Sequence, residues 1–147
     1  MPLKPPRDEN GVVIPHDDPD ILPEHGIIRR VSEELLVNDE KLGGRRISTF
    51  AFNPSSGVNG GLSVDLQNEI EKAGLDARAY VTTPQWVGSV RIEARLLHDE
   101  GFIIGSDPIE SNPYHGEVWG LFTKGKRRRL LAMCEWFVRI EGVAIDR

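Results

Sequence analysis

Apolar and polar positions along this chain alternate in several short runs and follow a helical period in others. Ile27-Ile28-Arg29-Arg30-Val31, opening after Gly26, predicts a strand. Ser32 before Glu33-Glu34-Leu35-Leu36 predicts a capped helical turn. After the break at Gly43-Gly44, residues 46–52 alternate in a β-branched and aromatic stretch and predict a second strand, apolar on both faces and therefore central. Residues 53–61 predict a loop by composition. Ser63 is expected to cap a helix that carries Leu66, Ile70 and Ala73 on one face and ends at Gly74.

Residues 86–97 support two patterns. Val90, Ile92, Ala94 and Leu96 alternate like a strand, whereas Thr83, Pro84 and Gly101 stand where a helix would start and stop. The propensities of Glu93 to Leu97 favour a helix over 89–100. Phe102-Ile103-Ile104 then predicts a short strand stopped by Asp107-Pro108, and residues 117–122 another strand. Residues 126–138 predict a helix with Leu130, Leu131, Cys134, Phe137 and Val138 on one stripe. Strands and helices alternate without βαβ repetition. The expected class is α+β, with a mixed, mostly antiparallel sheet and three main helices. Six of the ten prolines fall in residues 1–25, where no regular ladder can form. An extended acidic arm over 1–25 is expected to precede a single domain over 26–147.

Composition narrows the function classes. The chain of 147 residues is long enough for a core without disulfides. No apolar run reaches the roughly 18–20 residues of a membrane span, and the N-terminus has no apolar signal region, so a cytoplasmic protein with no membrane contact is expected. The lone Cys134 falls on a predicted core stripe, against a cysteine nucleophile, and no metal is expected because no His or Cys pair has ligand spacing. A net charge of −5 argues against a chain-wide nucleic-acid surface. Charge is uneven, however: the arm is acidic, and Lys124, Lys126, Arg127, Arg128 and Arg129 cluster at the start of a helix. Either segment offers a surface for a protein partner, and the basic cluster a weaker one for nucleic acid.

The residue types that carry chemistry gather in two segments. In Ser111-Asn112-Pro113-Tyr114-His115-Gly116-Glu117 a histidine is held beside a strand, and Glu117 shares its face if the strand already begins at His115. In Arg46-Ile47-Ser48-Thr49 a guanidinium stands beside two hydroxyls, a pattern suited to phosphate or carboxylate. Gly57, Gly60 and Gly61 ahead of Ser63 suggest a backbone cradle at a helix start.

The runs R-x-S-T-x-A-F at 46–52, G-L-S-V at 61–64, D-P at 107–108 and N-P-Y-H-G-E-V at 112–118 resemble a family of small uncharacterised bacterial proteins, over roughly residues 26–140. That resemblance implies no activity. A second resemblance is to the ADP-ribosyltransferase fold, in which an Arg or His, a Ser-Thr pair and a Glu surround NAD. Arg30 (or His25), Ser48-Thr49 and Glu117 occur here in that order, although the first gap is short and His115 stands where a Glu or Gln is usual. It implies NAD as a ligand. The functional expectation is a small enzyme or binding protein for a phosphate-containing ligand such as a nucleotide, NAD or an RNA end. Catalytic roles fall to His115, Glu117 and Ser48, and ligand contacts to Arg30, Arg46, Thr49, Asn112 and Tyr114. The alternative is an interaction module that uses the arm or the basic cluster.

Overall fold

The computed structural model describes residues 5–54, 57 and 59–145. Pro2 of the arm and Ser55, Ser56 and Val58 of the expected loop lie outside the described residues; the rest of that loop is irregular, as its composition predicts. Among the described residues nine strands and four α-helices follow one another: β1 Gly26–Val31, β2 Leu36–Asp39, β3 Gly44–Ile47, β4 Leu62–Leu66, α1 Gln67–Lys72, α2 Ala77–Val81, β5 Gly88–Glu93, α3 Ala94–Asp99, β6 Ile103–Ser106, β7 His115–Trp119, α4 Lys124–Met133, β8 Glu135–Val138 and β9 Val143–Ala144. The α+β class holds, with one helix more than expected. Six strands form a sheet in the order β6-β7-β4-β1-β5-β8, antiparallel throughout, and β2-β3-β9 form a second sheet whose β3–β9 pair is parallel. No helix among the described residues is long and apolar enough to cross a membrane.

Four local expectations are corrected. The strand expected over 46–52 ends at Ile47, and Thr49–Phe52 is a 3-10 turn in which the Phe50 N–H donates to the Ser48 side chain. Ser63 caps no helix: it lies inside β4, and the helix begins only at Gln67. The alternation Leu62, Val64, Leu66 is the true period there, because those residues face the core between two partner strands. The same holds for 88–93, where Val90 and Ile92 alternate inward against β1 and tertiary pairing makes a strand, so the expected helix forms only over the following residues, as α3. The helix expected over 126–138 stops at Met133. Cys134 turns extended and β8 follows, so Cys134 is still buried but Phe137 sits on a strand.

The six-stranded sheet has two different faces. One carries Ile27, Val31, Leu62, Val64, Leu66, Val90, Ile92 and Val118 into the main core, closed by α3, α4, the 3-10 turn and the second sheet. The other is polar at its centre. Its β1–β5–β8 end is covered by α1 and α2 through Ile28, Ile70, Ala77, Val81 and Phe137. At its β6–β7 end the arm lies across the sheet. The Asp18 N–H donates to the Ile104 carbonyl at 2.9 Å and the Ile104 N–H to Asp17 Oδ1 at 3.1 Å, which covers the outer edge of β6. His16 packs on Gly105 and on the Trp119 ring, 5.3 Å away between centroids. His98 is bonded to Asp17 of the arm at 2.8 Å.

The basic cluster is largely engaged within the fold. Lys126 Nζ donates to the Glu100 carbonyl and Arg129 Nε to its carboxylate, both at 2.6 Å, and Arg127 Nη1 donates to Asn53 Oδ1 at 3.0 Å. The hydrogen bond from Arg129, with Lys126 beside it, holds the Glu100 carboxyl below its ordinary range.

A carboxyl held low in the folded state contributes stability that is present above its unfolded pKa and lost as pH falls through its folded one. Glu100→Gln should therefore flatten the acid limb of the stability–pH curve below about pH 4.5, measured by urea unfolding at stepped pH. Gly88 tests the packing of β5 on β8: an added Cβ would stand 2.8 Å from the Val138 carbonyl oxygen and 2.4 Å from Ile140 Cγ1. Gly88→Ala should cost about 1–3 kcal/mol, read as a lower urea midpoint at unchanged slope.

Candidate functional site

Pairing of β4 with β7 builds the site. Ser63 lies opposite Glu117 and Asp65 opposite His115. Residues two apart on a strand share a face, so all four side chains emerge together on the polar face of the sheet. β7 does begin at His115, and its partnership with Glu117 on one face follows from that. β1 flanks β4 on its other side and adds Arg30 to the same face.

His115 is buried and bonded at both ring nitrogens. Its Nδ1 stands 2.7 Å from the Asp107 carbonyl oxygen, and because a carbonyl only accepts, Nδ1 carries a proton. In the neutral ring Nε2 then holds the lone pair, and Ser63 Oγ–H donates to it in a short hydrogen bond. The Asp107 carboxylate lies 3.6 Å from Nδ1 and the buried Glu117 carboxylate 3.7 Å from Nε2, one on each flank of the ring. One ligand-capable atom from each of Asp107, His115 and Glu117 lies within 4.8 Å of the others.

A second network stands beside the first. Arg30 grips Asp65 with Nε and Nη2 at 2.8 and 2.9 Å, Asn112 Nδ2 donates to Asp65 at 2.7 Å, and the Tyr80 hydroxyl donates to Asn112 Oδ1 at 2.8 Å. Tyr114 packs edge-on against Tyr80 at 5.3 Å, and its N–H donates to the same amide oxygen of Asn112. Burial raises the Tyr80 phenol, with the Asp65 charge adding to it. Arg29 projects to the core side, donating to the carbonyls of Ala51 at 2.7 Å and Ser63 at 2.8 Å. Burial brings its guanidinium down to about 10, against the pull of Glu117 and Asp65, so it remains a cation at neutral pH.

Two cavities meet at Ser63, Ile109 and His115, which line both. The larger, about 380 Å³, is bounded by Asp107, Glu117 and Asn59 and by Arg7 and Val13 of the arm. The smaller, about 290 Å³, is bounded by Arg29, Arg30, Trp86 and Asn112. The first therefore carries the carboxylates of Asp107 and Glu117 with Arg7 at its arm side, and the second carries the guanidinium of Arg30 with its partner Asp65.

Of the expected site residues, His115, Glu117, Arg30, Asn112 and Tyr114 come together. Ser48, Arg46 and Thr49 do not join them. Arg46 is bonded to Asp39 within the second sheet at 2.8 Å, Ser48 accepts from the Phe50 N–H, and Thr49 opens the 3-10 turn; none of the three lines either cavity. The phosphate cradle expected ahead of Ser63 fails for the same reason as the helix: β4, not a helix start, follows Gly61. Ser63, Asp65 and Asp107 are the residues that sequence reasoning missed. The alternation Leu62, Val64, Leu66 carried the signal for the first two, since it puts Ser63 and Asp65 together on the opposite face. Asp107 gave none beyond its place before Pro108.

Gly61 supports Glu117 by close approach. A Cβ there would stand 2.5 Å from Glu117 Oε2 and 2.9 Å from Trp119 Nε1. Gly61→Ala should displace both side chains, shift tryptophan emission and lower stability by about 1–3 kcal/mol, measured by fluorescence and urea unfolding. Against known proteins, the chain matches no family model, no curated protein and no solved structure.

Proposed function

We propose that this chain is a small enzyme acting on a phosphate-containing ligand, with Ser63 as nucleophile and His115 as its general base. The observation that carries the reading is the Ser63 Oγ–H to His115 Nε2 hydrogen bond, in a ring whose tautomer is fixed by the Asp107 carbonyl. A serine hydroxyl is a weak nucleophile until a base takes its proton, and a base within hydrogen-bond reach with its other nitrogen held is the arrangement that does so. Glu117 and Asp107 stabilise the imidazolium that forms when the proton moves, since both carboxylates lie within 4 Å of the ring.

The ligand's charge selects its side of the site. An anionic group is disfavoured beside Asp107 and Glu117 and favoured beside Arg30, so the phosphate enters the smaller cavity; the Ser63 Oγ–P bond forms as the P–O bond to the leaving group breaks, and His115 passes the serine proton to the departing oxygen. Arg30 Nε and Nη2 are committed to Asp65, and Nη1 is the nitrogen left for the ligand. Trp86 lines the same cavity and supplies apolar surface for the remainder of the ligand. Nucleotides, NAD and RNA ends all belong to this class. NAD gains support from Arg30 and Glu117 standing on one face of the sheet with Ser63 on the strand between them.

The test is a thermal-shift and hydrolysis panel of nucleotides, NAD and 5′- or 3′-phosphorylated RNA oligonucleotides. At least one should raise the unfolding midpoint and turn over. Ser63→Ala should abolish turnover while ligand binding persists, and His115→Gln should lower it about 10²–10⁴-fold. Turnover unchanged in Ser63→Ala, or no phosphate compound bound at all, would overturn the reading.

A further inference from the structure

The carboxylates around His115 have a use beyond orienting the ring. We infer that Asp107, His115 and Glu117 form a site for a divalent cation of the zinc or manganese kind, which binds in the larger cavity and takes His115 Nε2 from Ser63.

Three observations carry this. First, the ligand atoms are gathered before any ion arrives: one from each residue lies within 4.8 Å of the others, and Glu117 Oε1 is 3.7 Å from Nε2. Two ligands at about 2.1 Å from a tetrahedral ion stand roughly 3.4 Å apart, so Glu117 and Nε2 need only a small shift, whereas the Asp107 carboxylate, 3.6 Å from Nδ1, must swing towards the Nε2 side to complete the set. Second, the ring is oriented as a metal ligand requires. Nδ1–H donates to a backbone carbonyl, which fixes the tautomer and leaves the Nε2 lone pair, now held by the Ser63 hydroxyl, beside Glu117. Third, the space beside these atoms suits a partly hydrated ion. The cavity of about 380 Å³ borders all three residues and leaves room for water ligands.

The donor set selects the ion. One imidazole and two carboxylates suit zinc and manganese, whereas magnesium and calcium prefer all-oxygen shells. Asn59 Nδ2, 3.5 Å from Asp107 Oδ2 and 3.2 Å from the Val13 carbonyl, links the metal-side carboxylate to the arm. Because the ion and the Ser63 hydroxyl compete for one lone pair, binding of the ion removes the general base from Ser63. The cation is thus an inhibitor of the reaction proposed above. The site itself stands on geometry that does not depend on that reaction.

The experiment is calorimetric titration of the chelator-treated full chain with zinc, manganese, magnesium and calcium chlorides, with the cobalt visible spectrum as a second readout. The expected result is one high-affinity zinc or manganese site per chain. Asp107→Asn and Glu117→Gln should each weaken it at least about tenfold, and His98→Ala should leave it unchanged, since that histidine lies against the arm near the surface. Ser63→Ala should bind the ion as tightly as the native chain or more tightly, because its competitor is gone, whether or not any phosphate ligand turns over. No saturable site, or affinity undiminished in both carboxylate variants, would overturn the inference. Circular dichroism of each variant verifies that a loss reflects the site and not the fold.

Discussion

Ser63 and Glu117 face each other across β4 and β7, and that register is the constraint on which the rest of the site rests. In an antiparallel pair a slip of one residue moves every side chain to the other face. Here it would send Ser63 and Asp65 into a core of Leu, Val and Ile and bring Leu62, Val64 and Leu66 out among charges. Burial of Leu62, Val64, Leu66 and Val118 on one face therefore enforces the polar assembly on the other. Hydrophobic burial supplies the free energy, at about 25 cal/mol per Å², and the chemistry rides on the alternate positions.

That polar assembly is costly unless it is complete. An ion taken out of water loses several kcal/mol unless partners restore its hydrogen bonds. Asp65 receives three: two from Arg30 and one from Asn112. Arg29 shows the cost most directly, since burial brings its guanidinium down to about 10 even with Glu117 and Asp65 nearby. Two backbone carbonyls hold it in place, one of them belonging to Ser63. The cation thereby stiffens the strand that bears the proposed nucleophile.

His115 joins these two systems. Its Nδ1 is committed to the backbone, so all chemistry at this ring runs through Nε2, for which a serine hydroxyl and a metal ion are alternative partners. The charges that line the cavities follow from the strands: β7 and the Asp107 segment supply carboxylates on one side, and β1 supplies Arg30, paired with Asp65 of β4, on the other.

Much of this was legible in the residues themselves. The apolar run after Gly26 is β1, the α+β class follows from the mixture of periods, and His115 with Glu117 was readable as one face of a strand because their spacing is local. Cys134 is core, as its neighbours indicated. What failed did so for one physical reason. Ser48 and Ser63 are each a serine near apolar alternation, and each can be read as a cap or as a strand residue on local grounds. Their roles were decided by pairing with segments far along the chain: Ser63 meets His115 across 52 positions, and Asp65 meets Arg30 across 35. Local propensity is blind to such contacts: it favoured a helix over 89–100, where pairing with β1 made residues 88–93 a strand and the helix holds only over 94–99. The sequence by itself determined which chemistry-bearing residues were present and which short segments held them. Tertiary structure alone decided which of them meet, because the register of nonlocal strands, set by burial of the opposite face, chose Ser63 over Ser48 and brought Asp107 to the ring of His115.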